Sequence, residues 1–142
     1  MKKFKGEKKG NKFKYKFKYY QKKRNKLKPL EGIAYIQSSL NNTIITITNL
    51  EGDVLGWSSA GTSGLKGFKK ETPLGAKKAA EAVAYFCLKK GIRKLYVRIK
   101  GIGFGREAAL RSLRGPGISF KTISDITPYS HNGCRPPKKR RL

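Results

Sequence analysis

The residues of this chain whose types and spacing could do chemistry are mainly cations. The C-terminal tail carries four consecutive cations at 138–141, directly after the rigid step Pro136-Pro137. Four adjacent like charges repel one another in water, and a polyanion laid along them offsets that repulsion. The tail therefore predicts binding to a polyanion, and we expect the preceding residues 131–133 (His-Asn-Gly) to form a turn.

The charge of the whole chain supports the same interpretation. Its 142 residues include 34 Lys and Arg but 8 Asp and Glu, which gives a net charge of +26. Residues 1–28 hold 14 of the basic residues and one acid, whereas residues 29–134 hold 15 basic and 7 acidic residues. No apolar stretch approaches the roughly 20 residues of a membrane span, and Met1-Lys2-Lys3 begins no signal peptide. The charge thus favours nucleic acid over a membrane as the partner.

Candidate catalytic and metal-binding residues are sparse. His131 and Cys134 form a His-x-x-Cys pair, but two ligands do not make a zinc site and the chain has no second histidine. No pair of carboxylates is placed at strand ends as a two-metal nuclease requires. We expect no enzyme, no metal and no cofactor. The two cysteines suggest a reducing compartment.

A glycine-rich turn, which we call the glycine turn, occupies residues 101–106 (Gly-Ile-Gly-Phe-Gly-Arg) between a predicted strand and a predicted helix. Glycines allow a backbone to approach a phosphate, and a helix N-terminus offers free N–H groups. It is not a P-loop, since no Gly-Lys-Ser/Thr follows, and Arg106 replaces the third glycine of a dinucleotide fingerprint. Two alternatives stay open: a tight turn alone, or a turn that also contacts phosphate together with Arg106, Arg111 and Arg114.

The elements that must position these residues follow from periodicity and from turn signals. Alternation and β-branched residues predict strands, and helical spacing after Thr72-Pro73, ended by Gly91, predicts a helix. Asn41-Asn42 tolerates positive φ and predicts a hairpin turn. The predicted strands are 33–38, 43–48, 54–58, 95–99 and 118–123, and the predicted helices are 73–90 and 106–113. Their order predicts an α/β fold, a mixed sheet with helices packed on it and a right-handed crossover from the third strand to the fourth.

We divide the chain into three parts. Residues 1–29 are a basic extension in which Lys and aromatic residues alternate from Lys12 to Tyr19, and we expect it to be disordered without RNA and ordered on it. Residues 30–127 form the α/β core domain, and residues 128–142 form the RNA-binding tail.

Several motifs resemble the universal S-eleven family of small-subunit ribosomal proteins, of the bacterial and organellar type. They are 39–48 (SLNNTIITIT), 56–61 (GWSSAG), Thr72-Pro73, 100–107 (KGIGFGRE), 125–128 (DITP) and the tail from His131 to Arg141. Together they span the chain from about Gly32 to Leu142. Two positions depart from the family pattern, because Ile102 and Phe104 stand where the family usually has prolines.

The resemblance implies a mixed five-stranded sheet flanked by helices, of ribonuclease H-like topology but without catalysis. It also implies binding to small-subunit ribosomal RNA on the platform near the exit-site messenger path, beside the S-seven, S-eighteen and S-twenty-one proteins, and no homo-oligomer. The expected RNA-binding residues are Asn41, Asn42, Ser63, Gly64, Lys66, Lys69, Lys70, Gly101, Gly103, Gly105, Arg106, Arg111, Arg114, His131, Asn132, Gly133, Arg135, Pro136, Lys138, Lys139, Arg140 and Arg141.

Two matters stay open at this point, the function and the compartment. The rival functions are a divergent ribonuclease H-like nuclease and a cationic protein that coats a nucleoid or binds a membrane. The compartment is either an organelle or a bacterial cytoplasm. The Lys-, Phe-, Tyr- and Asn-rich composition and the absent transit peptide favour an organelle-encoded, mitochondrial protein over a plastid or bacterial one.

Overall fold

The computed structural model describes residues 30–135, 137 and 138. The elements are β1 (Leu30–Ser38), β2 (Thr43–Thr48), β3 (Val54–Ser59), α1 (Pro73–Lys90), β4 (Ile92–Lys100), α2 (Gly105–Arg114) and β5 (Ser119–Asp125), with a short 3-10 helix at Gly67–Lys70. The interpretations of residues 1–29 as an extension, and of Pro136 and residues 139–142 as tail, fall outside the described residues.

The five strands form one mixed sheet in the order β3-β2-β1-β4-β5. The pairs β1–β2 and β2–β3 are antiparallel, whereas β4 pairs in parallel with both β1 and β5. The predicted α/β fold with a mixed five-stranded sheet is therefore confirmed. In this order β4 lies beside β1, on the side away from β2. The connection from edge strand β3 through α1 to β4 therefore crosses over β2 and β1.

One face of the sheet is packed against both helices. The buried side chains of the strands alternate with exposed ones, as a sheet covered on one side requires. The face of α1 toward the sheet is built mostly from alanines, which let the helix approach closely. The buried core includes Ala34, Ile36, Ile45, Ile47, Ala76, Ala79, Ala80, Val83, Leu95, Val97 and Leu113.

The predicted ends of α1 are confirmed in detail. The Thr72 hydroxyl accepts a hydrogen bond from the Gly75 N–H at 3.3 Å, which satisfies one of the free donors of the first turn. Gly91 ends the helix with φ 84°, in the left-handed region that glycine adopts without strain.

Other local expectations are corrected. The fourth strand begins three residues earlier than predicted, at Ile92, and the fifth continues to Asp125. The β1–β2 hairpin forms, but neither Asn41 nor Asn42 adopts positive φ. Instead, Ser39 closes the loop, because its hydroxyl donates to the Asn42 carbonyl at 3.0 Å and accepts from the Asn42 N–H at 3.1 Å.

Candidate nucleic-acid interface

Three of the segments expected to bind RNA meet at one end of the sheet, which we call the hairpin end. It comprises the β1–β2 hairpin (38–43), the glycine-rich loop (60–70) and the glycine turn (101–106), and residues 126–128, which lead into the tail, lie there as well. The Ala60 N–H donates to the Thr43 carbonyl at 3.1 Å, and the Gly103 N–H donates to the Ser38 carbonyl at 3.0 Å. Segments far apart in sequence are thereby joined by direct backbone hydrogen bonds.

The three glycines of the glycine turn are required by its packing against the hairpin. A Cβ atom added at Gly101 would lie 2.1 Å from the Ser38 carbonyl oxygen, and one at Gly103 would lie 2.2 Å from the Ser39 carbonyl oxygen. At Gly105 the added atom would lie 2.2 Å from Thr43 Oγ1. The tight-turn alternative is therefore sufficient to explain all three glycines, and phosphate contact at this turn stays a prediction.

The residues that lead into the tail are fixed to the glycine turn by four residues that we call the tail latch: Gly101, Arg106, Asp125 and Thr127. The Gly101 N–H donates to Thr127 Oγ1 at 3.1 Å, and the Arg106 guanidinium donates to the Gly101 carbonyl at 2.8 Å. Arg106 also forms an ion pair with Asp125. The expected RNA ligand Arg106 is thus engaged within the fold.

Asp125 is the electrostatic centre of this latch. Its Oδ1 accepts hydrogen bonds from the Thr127 hydroxyl at 2.6 Å and from the Thr127 N–H at 2.9 Å. These two bonds, and then the Arg106 guanidinium, lower the pKa of Asp125 to about 2, because all three favour the charged carboxylate. The carboxylate is therefore ionised at neutral pH and holds Thr127 at the hairpin end.

The glycine-rich loop is ordered by its own small polar side chains. Thr62 Oγ1 accepts from the Ser59 N–H at 2.8 Å and donates to the Ser59 carbonyl at 3.0 Å. The loop ends in the 3-10 helix Gly67–Lys70, and Lys66 and Lys69 are exposed. Gly64 has φ 85°, with no atom within 4 Å of an added Cβ. The loop thus presents cations from a fixed backbone beside the hairpin.

The structure does not bring all of the predicted residues together. Helix α2 leads away from the hairpin end, so Arg114 lies about 13 Å along the helix axis from Gly105. Arg114 lines a groove with the first residues of β5. Arg111 forms an ion pair with Glu107 at 2.8 Å on the helix surface. Arg111 nevertheless lines a groove together with Gly103 and Phe104 of the glycine turn, whereas Arg114 does not line that groove.

The described part of the tail, up to Arg135 and then Pro137 and Lys138, is exposed. Asn132 has φ 49°, which confirms the turn predicted at residues 131–133. The His131 ring makes an edge-to-face contact with the Tyr129 ring, with 6.2 Å between centroids. The predicted ligands Pro136, Lys139, Arg140 and Arg141 lie outside the described residues.

The described residues also bear on metal binding, on membrane insertion and on thiol reactivity. Among the described residues, no group of three or more His, Cys, Asp or Glu side chains is placed to hold a metal ion. No helix in the described ranges has the length and apolar character needed to cross a membrane. The Cys87 thiol is buried, which raises its pKa to about 12, whereas Cys134 is exposed.

Sequence reasoning missed one surface, the sheet face that the helices leave uncovered. It carries Tyr35, Trp57, Tyr96, Arg98, Lys100 and Lys121, and we call it the open face. The strict alternation along β4, where 94, 96, 98 and 100 are polar or aromatic and 95, 97 and 99 are buried, was a signal that could have revealed it.

Comparison with known proteins gives a consistent result. The model of the family described as "Ribosomal protein S11" matches residues 32–141. The small ribosomal subunit protein uS11c of Chlorella vulgaris is 58% identical over 121 residues, which cover 85% of this chain and 93% of that protein. The protein of the same name from Trieres chinensis is 52% identical over 120 residues, covering 84% of this chain and 92% of that protein. Protein uS11 of Rippkaea orientalis is also 52% identical over 120 residues, with the same coverage of both chains.

These relatives also bear on the compartment. They are chloroplast and bacterial proteins, so the mitochondrial expectation has no support among them. The family match covers the core domain and nearly the whole tail, and it agrees with the observed sheet and with the resemblance drawn from the motifs. This chain belongs to the ribosomal protein S11 family, whose members are structural proteins of the ribosome and not enzymes.

Proposed function

We propose that this protein is a structural constituent of the small ribosomal subunit that binds small-subunit ribosomal RNA through its hairpin end and its tail. The observation that carries the proposal is the convergence of the hairpin, the glycine-rich loop, the glycine turn and the residues that lead into the tail at one end of the sheet. At this end, Lys66, Lys69 and Lys70 form no ion pair among the described residues. Phosphate groups of a folded RNA are the matching partner.

The mechanism is charge neutralisation at a place where RNA helices pack closely. The latch sets the direction in which the tail leaves the body, because residues 125–127 are held by the hydrogen bonds of Asp125 and Gly101. The turn at Asn132 then redirects the chain before the cations at 138–141. The body thus delivers the cations of the tail to phosphates that two RNA helices could not bring together alone.

The proposed location is the platform of the small subunit near the exit-site messenger path, beside the S-seven, S-eighteen and S-twenty-one proteins. The relatives named above, which are chloroplast and bacterial proteins, favour a chloroplast or bacterial ribosome over a mitochondrial one. Cys134 offers a test of the neighbours, because it is exposed while Cys87 is buried. A thiol-specific cross-linker attached to Cys134 in assembled subunits should link the tail to ribosomal RNA and to one of these proteins. Cross-links to large-subunit components alone would contradict the location.

The binding mechanism is tested by salt dependence. Affinity for platform RNA should fall linearly on a log–log plot against salt, with a slope of about 0.7–0.9 per phosphate neutralised. The tail from Arg135 contributes five cations, so a chain shortened after Cys134 should lose up to about 4.5 units of that slope. An affinity that is flat between low and moderate salt would contradict charge neutralisation.

A further inference from the structure

The open face is an exposed surface that the hairpin end and the tail do not account for. Side chains alternate along each strand, so neighbouring residues point to opposite faces. A Cβ atom added at Gly56 would lie 2.7 Å from the Phe86 ring of α1, which places Gly56 on the helix side. Trp57, the next residue, therefore points to the open face, and 60% of its surface is exposed.

A row of side chains runs across four strands of the sheet, from Trp57 on β3 to Arg98 on β4. Trp57 pairs with Thr46 on β2, Thr46 pairs with Tyr35 on β1, and Tyr35 pairs with Arg98 on β4. With strands about 4.8 Å apart, this row is about 14 Å long. The Arg98 guanidinium lies over the Tyr35 ring at 5.6 Å from its centroid and donates to the Tyr35 hydroxyl at 3.1 Å. The row thus offers two surfaces on which a base can stack, the Trp57 indole and the Arg98 guanidinium that lies over the Tyr35 ring.

The charge of the open face is positive. Its cations are Lys94, Arg98, Lys100 and Lys121, and its carboxylate is Glu31. Lys121 lies 2.6 Å from Glu31 and Lys94 lies 3.9 Å from it, so Glu31 is shared between these two lysines. Arg98 and Lys100 are exposed and take part in no ion pair within the described residues. Arg98 within the row and Lys100, two residues further along β4, are therefore available to an anionic partner.

We propose that the open face binds unpaired nucleotides of RNA, with one base stacked on Trp57, another on the Tyr35–Arg98 pair and a phosphate beside Lys100. The inference rests on the proposed RNA-binding function and deepens it. Aromatic rings and guanidinium planes stack on exposed bases, and a sheet surface with such groups suits single-stranded segments. A paired helix keeps its bases stacked inside and offers this row only its backbone. The net positive charge favours RNA over a protein as the occupant.

The single tryptophan of the chain makes a direct test possible, because all tryptophan emission comes from Trp57. The full-length protein is titrated with a hairpin RNA that has a long unpaired loop, and separately with a fully paired duplex of equal phosphate count. Each RNA carries a dye, so that anisotropy reports the bound fraction independently. We expect the loop RNA to quench Trp57 and the duplex to leave its emission unchanged at the same bound fraction.

The outcomes separate this inference from the proposed function. If the loop RNA binds without quenching, RNA contacts only the hairpin end and the tail, and the inference is wrong while the proposed function stands. If neither RNA binds, both are wrong. If RNA leaves Trp57 accessible to acrylamide but the assembled subunit shields it without a cross-link to RNA, the open face docks a protein, which also overturns the inference.

Variants sharpen the test. Trp57→Ala should weaken binding of the loop RNA by about fivefold or more, since base–aromatic stacking contributes at that level, and Trp57→Phe should retain most of the affinity. Leu50 is a matched control, because it is 58% exposed but lies in the β2–β3 turn away from the row. Leu50→Ala should leave the affinity unchanged. Equal losses in Trp57→Ala and Leu50→Ala, or none in either, would refute a specific stacking role.

Discussion

Substitution of Gly103 by alanine tests the packing of the glycine turn against the hairpin. The added Cβ would lie 2.2 Å from the Ser39 carbonyl oxygen and 2.6 Å from Ser38 Oγ. The first contact is with backbone, which a side-chain rotation cannot relieve. Overpacking of this kind costs about 1–3 kcal/mol of the free energy of unfolding, and the backbone contact places Gly103→Ala near 3 kcal/mol. For a body of this size that corresponds to a fall in Tm of roughly 12–24 °C.

Two other glycines provide a graded comparison. An added Cβ at Gly75 would lie 3.0 Å from the Ala60 Cβ, and at Gly115 the nearest atom would be 3.6 Å away. Gly115 has φ −52°, a conformation that alanine adopts freely. Gly115→Ala should therefore be neutral or stabilising by about 0.4–1 kcal/mol, through a less flexible unfolded chain.

The assay is thermal unfolding of the full-length variants, followed by circular dichroism at fixed salt. The Tm is expected to be highest for Gly115→Ala, lower for Gly75→Ala and lowest for Gly103→Ala. A Gly103→Ala protein that unfolds together with the Gly115→Ala protein would show that the turn does not pack on the hairpin. If Gly103→Ala fails to fold, the Tm values of Gly75→Ala and Gly115→Ala still show whether the loss of stability grows as the added Cβ comes closer to its neighbour.

Three further predictions concern the latch, the cysteines and the tail. Because the folded pKa of Asp125, about 2, lies below its ordinary value of 3.8, its stabilising effect should be complete above about pH 4 and lost as the pH falls toward 2; acid unfolding of Asp125→Asn should lack this component. A thiol reagent should modify Cys134 in the folded protein and both cysteines in denaturant, since Cys87 is buried with its pKa raised to about 12; two fast-reacting thiols in the folded state would contradict this. Removal of residues 135–142 should leave the Tm unchanged but weaken incorporation into the subunit, and loss of the folded circular dichroism spectrum would contradict the division into body and tail.

Much of the fold was predictable because its signals are local. Thr72-Pro73 and Gly91 mark both ends of α1 through capping chemistry that involves a few adjacent residues. The β-branched alternation from Thr43 to Thr48 likewise marks β2 without reference to any partner strand. Signals of this kind can be recognised from the sequence because they depend on neighbouring residues and not on tertiary contacts.

The features that could not be predicted depend on residues distant in sequence. The engagement of Arg106 by Asp125, 19 positions later, follows from the parallel pairing of β4 with β5. The pairing of β4 with β1 also decides that Gly101 and Gly103 pack on Ser38 and Ser39. Spacing alone therefore left the glycine turn open between packing and phosphate binding. The early start of β4 was missed because Arg93 and Lys94 interrupt its apolar pattern.

The placement of carboxylates links folding of this protein to RNA binding. Glu31 joins β1 to Lys94 and Lys121, Glu107 pairs with Arg111, and Asp125 closes the latch. These acids pair with cations of the body, so they do not neutralise the loop lysines at the hairpin end or the described cations of the tail, Arg135 and Lys138. That charge destabilises the free protein and is offset when phosphates bind. Ribosomal RNA at a hundred times its low-salt Kd should then stabilise the folded state by about 2.7 kcal/mol. At the same RNA concentration the gain should shrink as salt rises, because salt raises the Kd.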